Sequence, residues 1–134
     1  MSTSMELENN VGWREARDLT ISLYRMFNDN KTDCDRGLRD ALRESATSVM
    51  SHISLGQGEF KPEFRAVHLH YARSASIPLF TLLSVSRDLG FILESDYLEL
   101  EDRVHRICEQ INSMLKKCEL QIRNWGHVTH FCFK

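Results

Sequence analysis

Seven residues, Tyr97, Leu100, Val104, Ile107, Ile111, Met114 and Cys118, recur at steps of three, four, three, four, three and four. Those steps place all seven on one stripe of an α-helix, whereas a strand would divide them between its two faces. A stripe six turns long is unstable in water until other apolar surfaces cover it. Asp96 and Glu99 form a capping-box pattern that predicts where this helix begins, with aspartate in the place usually taken by serine or threonine.

The rest of the chain offers three more helices to do the covering. The first is predicted from Val11 to Phe27, with Asn10 as N-cap and Trp13, Ala16, Thr20, Leu23 and Phe27 as its stripe, widened by Leu19, Tyr24 and Met26. The second follows a polar connector over 28–33 and runs from Cys34 to Leu55. Asp33 is its expected N-cap, and Leu38, Leu42, Ala46, Val49 and Ile53 its apolar face. Gly56 stands where a left-handed C-cap is expected. The third starts at Pro62 and ends at Gly90, with Phe64, Val67, Tyr71, Ala75, Pro78, Leu82, Val85 and Leu89 as its expected core stripe. Pro78 predicts a kink, since it leaves the Ser74 carbonyl without its helical partner, for neighbouring hydroxyls or water to take up.

Short connections force neighbouring helices to run antiparallel. The expected fold is therefore an all-α, up-down-up-down antiparallel four-helix bundle over 11–122. A flexible N-terminal segment, 1–10, precedes it and an aromatic C-terminal tail, 123–134, follows. A hairpin of helices two and three turning about Gly58 would set Ala46 near Tyr71 and Ala72, small residues against small.

Several kinds of chemistry find little support. The stretch Ala46-Thr-Ser-Val-Met-Ser-His-Ile-Ser-Leu-Gly-Gln-Gly-Glu59 has a helix before its glycines and no lysine after them, so it is not a phosphate loop. Ser48, Ser51 and His52 share that helix without an evident acidic residue to orient the imidazole. His68 and His70 point to different faces, and His127, His130 and Cys132 fit no standard metal spacing. No carboxylate sits alone within an apolar stripe. The chain is accordingly expected to be non-enzymatic, with no metal and no cofactor. No apolar run is long enough for a membrane span, and the start lacks the basic-then-apolar order of a secretory signal. Four scattered cysteines then read as reduced thiols in a cytoplasmic protein.

Net charge is −2, so any binding of nucleic acid needs a local basic patch or one repeated by assembly. Arg36, Arg39 and Arg43 fall on one helix face, and Arg14 and Arg17, with Arg25, extend the basic character onto the first helix. The plainer alternative is a solvated face, because Asp33, Asp35, Asp40 and Glu44 interleave with the arginines and Arg36 to Asp40 is an i, i+4 pair. The tail carries Trp125, Val128, Phe131 and Phe133, apolar enough to be buried on its own bundle, between protomers, or in a partner. Its loose alternation would allow a short strand.

The order of these features resembles a known family. Gly37-Leu38, Val49-Met-Ser-His-Ile-Ser-Leu-Gly56, Phe64 through Ala72-Arg-Ser-Ala-Ser-Ile77, Leu89-Gly-Phe91 and Ile111-Asn-Ser-Met-Leu115 follow one another as in the four-helix-bundle proteins encoded in intervening sequences of bacterial 23S rRNA genes. Where that family typically has Asn-Ile-Ala-Glu-Gly, this chain has His52-Ile-Ser-Leu-Gly56 and keeps Ile53 and Gly56. The resemblance implies a ring-like homo-oligomer, typically a pentamer, with a role on nucleic acid. A related branch, the accessory variability proteins of diversity-generating retroelements, implies a reverse transcriptase or other nucleic-acid enzyme as partner. The expected function is an oligomeric accessory bundle binding RNA or DNA, or an enzyme that processes it, through Arg36, Arg39, Arg43, Arg14 and Arg17. The alternative is a scaffold subunit docking a protein through Trp125, Phe131 and Phe133.

Overall fold

The computed structural model describes residues 3–28 and 35–132, with side chains from residue 4 through residue 124. It is all-α, with no strand among the described residues. Five helices are present rather than four: α1 (Thr3–Glu8), α2 (Val11–Met26), α3 (Arg36–Gly58), α4 (Pro62–Asp88) and α5 (Glu94–Cys132). The added element, α1, lies in the N-terminal segment, 1–10, that the sequence placed outside the bundle, and it touches α2 and α3. The four long helices close on one another, α2 against α3, α3 against α4, α4 against α5, and α5 against α2.

Inside this square sits one core. Leu19, Leu23 and Phe27 enter it from α2, Leu42, Val49 and Ile53 from α3, Leu79 and Leu83 from α4, and Leu100, Val104, Ile107 and Ile111 from α5. The stripes read from the sequence on α2, α3 and α5 supply that core. Tyr24 is the exception on α2, lying exposed beneath the Arg43 guanidinium.

On α4 the expected stripe is on the wrong face. The residues that α4 buries are Leu69, Ala72, Ser76, Leu79, Leu83 and Ser86. Phe64, Val67 and Tyr71 stay about half exposed (52%, 48% and 58%), Val85 and Leu89 are exposed too, and Ile77 beside them reaches 62%. Two serines in the core face explain the inversion, because they make it read as polar. Each of them is satisfied locally: Ser86 Oγ donates to the Leu82 carbonyl (2.7 Å), and Ser76 Oγ donates to the Arg73 carbonyl (2.6 Å) and lies 3.2 Å from Cys108 Sγ.

Helix ends follow sequence rules with three corrections. Asn10 caps α2, its Oδ1 accepting the Trp13 N–H at 3.1 Å, as expected. Asp33 lies outside the described residues, and the residue that caps α3 is Asp35, which accepts from the Gly37 and Leu38 N–H groups. Gly56 is not a left-handed cap. It is helical and buried, and α3 continues to Gly58. The left-handed glycine is Gly90 (φ 79°), where the Gly90 N–H reaches the Arg87 carbonyl and the Phe91 N–H the Ser86 carbonyl, a Schellman motif. Asp96 is not an N-cap either, since α5 begins at Glu94 and the Tyr97 N–H bonds the Leu93 carbonyl. Helix α4 runs unbroken through Pro78. Both Pro78 and Ser74 are exposed, so water can serve the Ser74 carbonyl that proline leaves free.

Register follows from a few contacts. His52 stacks on Tyr71, and a Cβ at Gly56 would meet Leu69 and the Arg65 carbonyl. The α3–α4 hairpin therefore turns near Lys61, and Ala46 falls level with Ser76, one turn further along than Tyr71 and Ala72. Ser76 beside Cys108 and Arg87 over Tyr97 fix α5 against α4 in the same way. Pro62 is then level with about residue 122. The last ten or so residues of α5 project beyond that end of the bundle as helix, although their loose alternation would also allow a short strand.

The facing of α4 is directly testable. Leu79→Ala should cost about 2–5 kcal/mol in urea unfolding. Pro78→Ala, one residue away and outward, should be neutral or stabilising because it restores a helical N–H.

Candidate nucleic-acid interface

The three arginines of α3 lie in different surroundings. Arg43 closes the end of α2: its Nη2 donates to the Phe27 carbonyl (3.1 Å) and the Tyr24 carbonyl (3.5 Å), and its guanidinium lies 4.4 Å from the Tyr24 ring centroid. Those carbonyls belong to the last turn of α2, where a cation also meets the negative end of the helix dipole. Arg39 has a side chain only 13% exposed, with Asp40 Oδ1 3.8 Å from its Nε. Arg36 is exposed at the start of α3. The expected three-arginine belt is thus one outward cation, one largely covered and one engaged in holding a helix end.

Arg14 and Arg17 are exposed on α2, and Arg17 lies 3.7 Å from Asp18. Asn10 Nδ2 donates to Gln57 Oε1 (3.0 Å), while Arg43 meets Tyr24 and Phe27. These contacts set Arg14 and Arg17 level with the C-terminal half of α3. They stand roughly 15–25 Å along the axis from Arg36 and Arg39 at 1.5 Å per residue. The five arginines therefore form two basic regions at different heights of the bundle.

The side chains of Trp125, Phe131, His127, His130 and Cys132 lie outside the described set, as does Phe133 altogether. What the structure gives of this segment is its helical backbone to Cys132. Ser48, Ser51 and His52 form no catalytic arrangement among the described residues. The His52 ring stacks on Tyr71 (5.4 Å) and on His68 (6.3 Å), its Nδ1 is buried without a hydrogen-bond partner, and Ser51 is exposed. His68 Nε2 lies 3.7 Å from Glu59, and His70 is exposed on a separate face. No described helix is long and apolar enough to cross a membrane.

Two surface features escaped the sequence reading. One is the outward face of α4, whose residues were recognised as a stripe but assigned to the core. The other is a hollow of about 480 Å³ at the hairpin end, between the α1–α2 junction, the end of α3, the start of α4 and α5. Its residues are scattered from Glu6 to Gln121, so no local motif could signal it.

A family model described as 23S rRNA-intervening sequence protein matches residues 8–113. No curated protein matches the chain. The matched span takes in α2, α3, α4 and the first half of α5.

Arg43 and Arg36 should separate in stability measurements. Arg43→Ala removes two charge-assisted bonds to carbonyls at the end of α2 and should cost about 1–3 kcal/mol. Arg36→Ala, at an exposed position, should stay within about 0.5 kcal/mol.

Proposed function

The chain belongs to the 23S rRNA-intervening sequence protein family, and we propose that it is a non-enzymatic, ring-like homo-oligomer of up-down-up-down bundles that binds nucleic acid through basic side chains repeated around the assembly. The observation that carries this reading is the second apolar face of α4. One face of the helix already fills the core. The other presents Phe64, Val67, Tyr71, Pro78 and Val85 outward along about 38 Å of helix, counted on to Leu89. A helix apolar on both sides belongs inside a larger structure. Spacing of three and four residues lets such a face interlock with the same face, or a flanking one, of a second copy.

Assembly also answers the charge problem. With a net charge of −2, one chain has no field to draw in a polyanion. Arg36, with Arg39 beside it, and Arg14 with Arg17 would recur at fixed heights around a ring, and several weak phosphate contacts made together bind far more tightly than one. A pentamer is the subunit number that the family resemblance implies.

Light scattering of the full chain should give a mass several times 15.6 kDa. Phe64→Glu with Val67→Glu should reduce it to a single chain that keeps its helical circular dichroism. Binding of single-stranded RNA or DNA by the assembly should fall by on the order of 10³-fold between 50 and 200 mM salt. Arg36→Glu should weaken it and flatten that dependence. A single-chain mass for the unaltered protein, or a salt-insensitive affinity, would overturn the reading.

A further inference from the structure

The hollow at the hairpin end is built unlike the rest of the surface. Its floor is apolar, formed by Leu69 of α4 and Met114 of α5 with Val11 at the side. Two glycines keep it in shape. A Cβ at Gly12 would come within 3.1 Å of Gln110 Cβ and Met114 Cε, so α2 sits directly on α5. A Cβ at Gly56 would press on Leu69 at 3.3 Å, so α3 comes equally close to α4. Around the floor stand primary amides. Asn10 is fully engaged, accepting from the Trp13 N–H and donating to Met114 Sδ (3.5 Å) and to Gln57 Oε1. That contact orients Gln57 and leaves its amide nitrogen available. Gln110 and Gln121 line the same hollow, and neither makes a hydrogen bond to a described residue.

Charge at the rim is unbalanced. Arg65 and Lys117 line it, against one carboxylate, Glu6. Arg65 is held in place by its Nε, which donates to the Glu59 carbonyl of the hairpin. Its charge also reaches the neighbouring Cys118 thiol, whose pKa burial raises and Arg65 partly lowers. A volume of about 480 Å³ lies in the range that takes a small organic ligand.

Each part of this arrangement selects a part of one ligand class. An apolar floor accepts the face of a heteroaromatic ring. Amides offer donor and acceptor side by side, which matches the edge of a nucleobase. A pair of cations beside them suits a phosphate. We infer that the hollow binds a nucleotide unit, its base lying over Leu69 and Met114, its edge held by Gln57 and Gln110, and its phosphate between Arg65 and Lys117. The unit is either a free nucleotide or one unstacked residue of a single strand. In the second case the inference rests on the nucleic-acid reading above, to which it adds a base-reading site.

The test is a titration of the full chain, labelled at its methionine methyl groups, with AMP, GMP, CMP and UMP and then with a short single-stranded RNA. The Met114 methyl signal, assigned from Met114→Leu, should shift while those of Met26 and Met50 hold still. Lys117→Glu, at an exposed position, should weaken the nucleotide by at least about tenfold, the worth of one charged hydrogen bond. An unmoved Met114 signal with all four nucleotides and the RNA overturns the inference. So does a shift that inorganic phosphate alone reproduces, or an affinity that Lys117→Glu leaves unchanged. If the RNA binds by anisotropy while Met114 stays silent, the hollow is refuted and the arginine surface stands. If mononucleotides shift Met114 and no RNA binds, the hollow stands as a free-nucleotide site and the reading of the arginine surface falls.

Discussion

Close approach of α3 and α4 governs the rest of the architecture. Gly56 has no side chain, so Leu69 and the Arg65 carbonyl come to within contact distance of the α3 backbone. A turn or two further along, Ala72 and Ser76 keep α4 slim where it faces the core and the level of Ala46. Small residues let helix axes come together, and dispersion across such a contact grows with the number of atoms that touch. The consequence lies on the far side of α4. Because the contact face is made of alanine, serine and leucine, the larger apolar residues of that helix, Phe64, Tyr71 and Ile77, are turned outward. The tight internal contact and the outward apolar face have one cause.

Polar side chains mark the ends of this packing and limit what else they can do. Arg43 holds the end of α2. Arg87 performs a similar task at the α4–α5 connection, with its Nε 3.1 Å from Asp88 and 3.7 Å from Glu94 and its guanidinium 4.1 Å from the Tyr97 ring centroid. Arg103 Nη1 donates to Ser22 Oγ at 3.0 Å and joins α5 to α2. The donors committed to such a contact are not available to a phosphate unless the contact is released, although a guanidinium keeps its other N–H groups. Arg36 and Arg14 carry no comparable contact among the described residues.

How much of this was legible depended on whether a helix is apolar on one side or two. On α2, α3 and α5 a single stripe stands out, and Leu23, Ile53 and Ile107 fall in the core where periodicity puts them. On α4 periodicity finds the greasier face, and nothing local tells it that Ser76 and Ser86 can satisfy their own hydroxyls on backbone carbonyls and be buried. Gly56 and Gly90 look alike in sequence. One is required by a neighbour from another helix and the other by a positive φ, and only the second follows from local rules. Asp35 rather than Asp33 caps α3 by the same local chemistry that suggested the wrong aspartate, an ambiguity of two residues. The arginine group was legible as residues and not as a place, because its members belong to helices whose register is a tertiary property.

That register has a further consequence for how charge is arranged along the molecule. Arg36 and Arg39 sit at the start of α3, while Gln57, which borders the hollow, sits at its end, about 30 Å away along the helix. Arg14 lies one turn from the Asn10–Gln57 contact and so shares an end with Arg65 and Lys117. Basic side chains thus stand towards both ends of the bundle, with the outward face of α4 running between them, and those around Arg36 share their level with the acidic start of α5, Glu94, Asp96 and Glu99. If copies associate along that face, each end becomes a separate tier in which cations and carboxylates stand together, and a polyanion crossing from one to the other must lie along the protomers. The helical end of α5 projects past the tier that holds the hollow. It lengthens the surface at the end where Gln57, Gln110 and Gln121 stand.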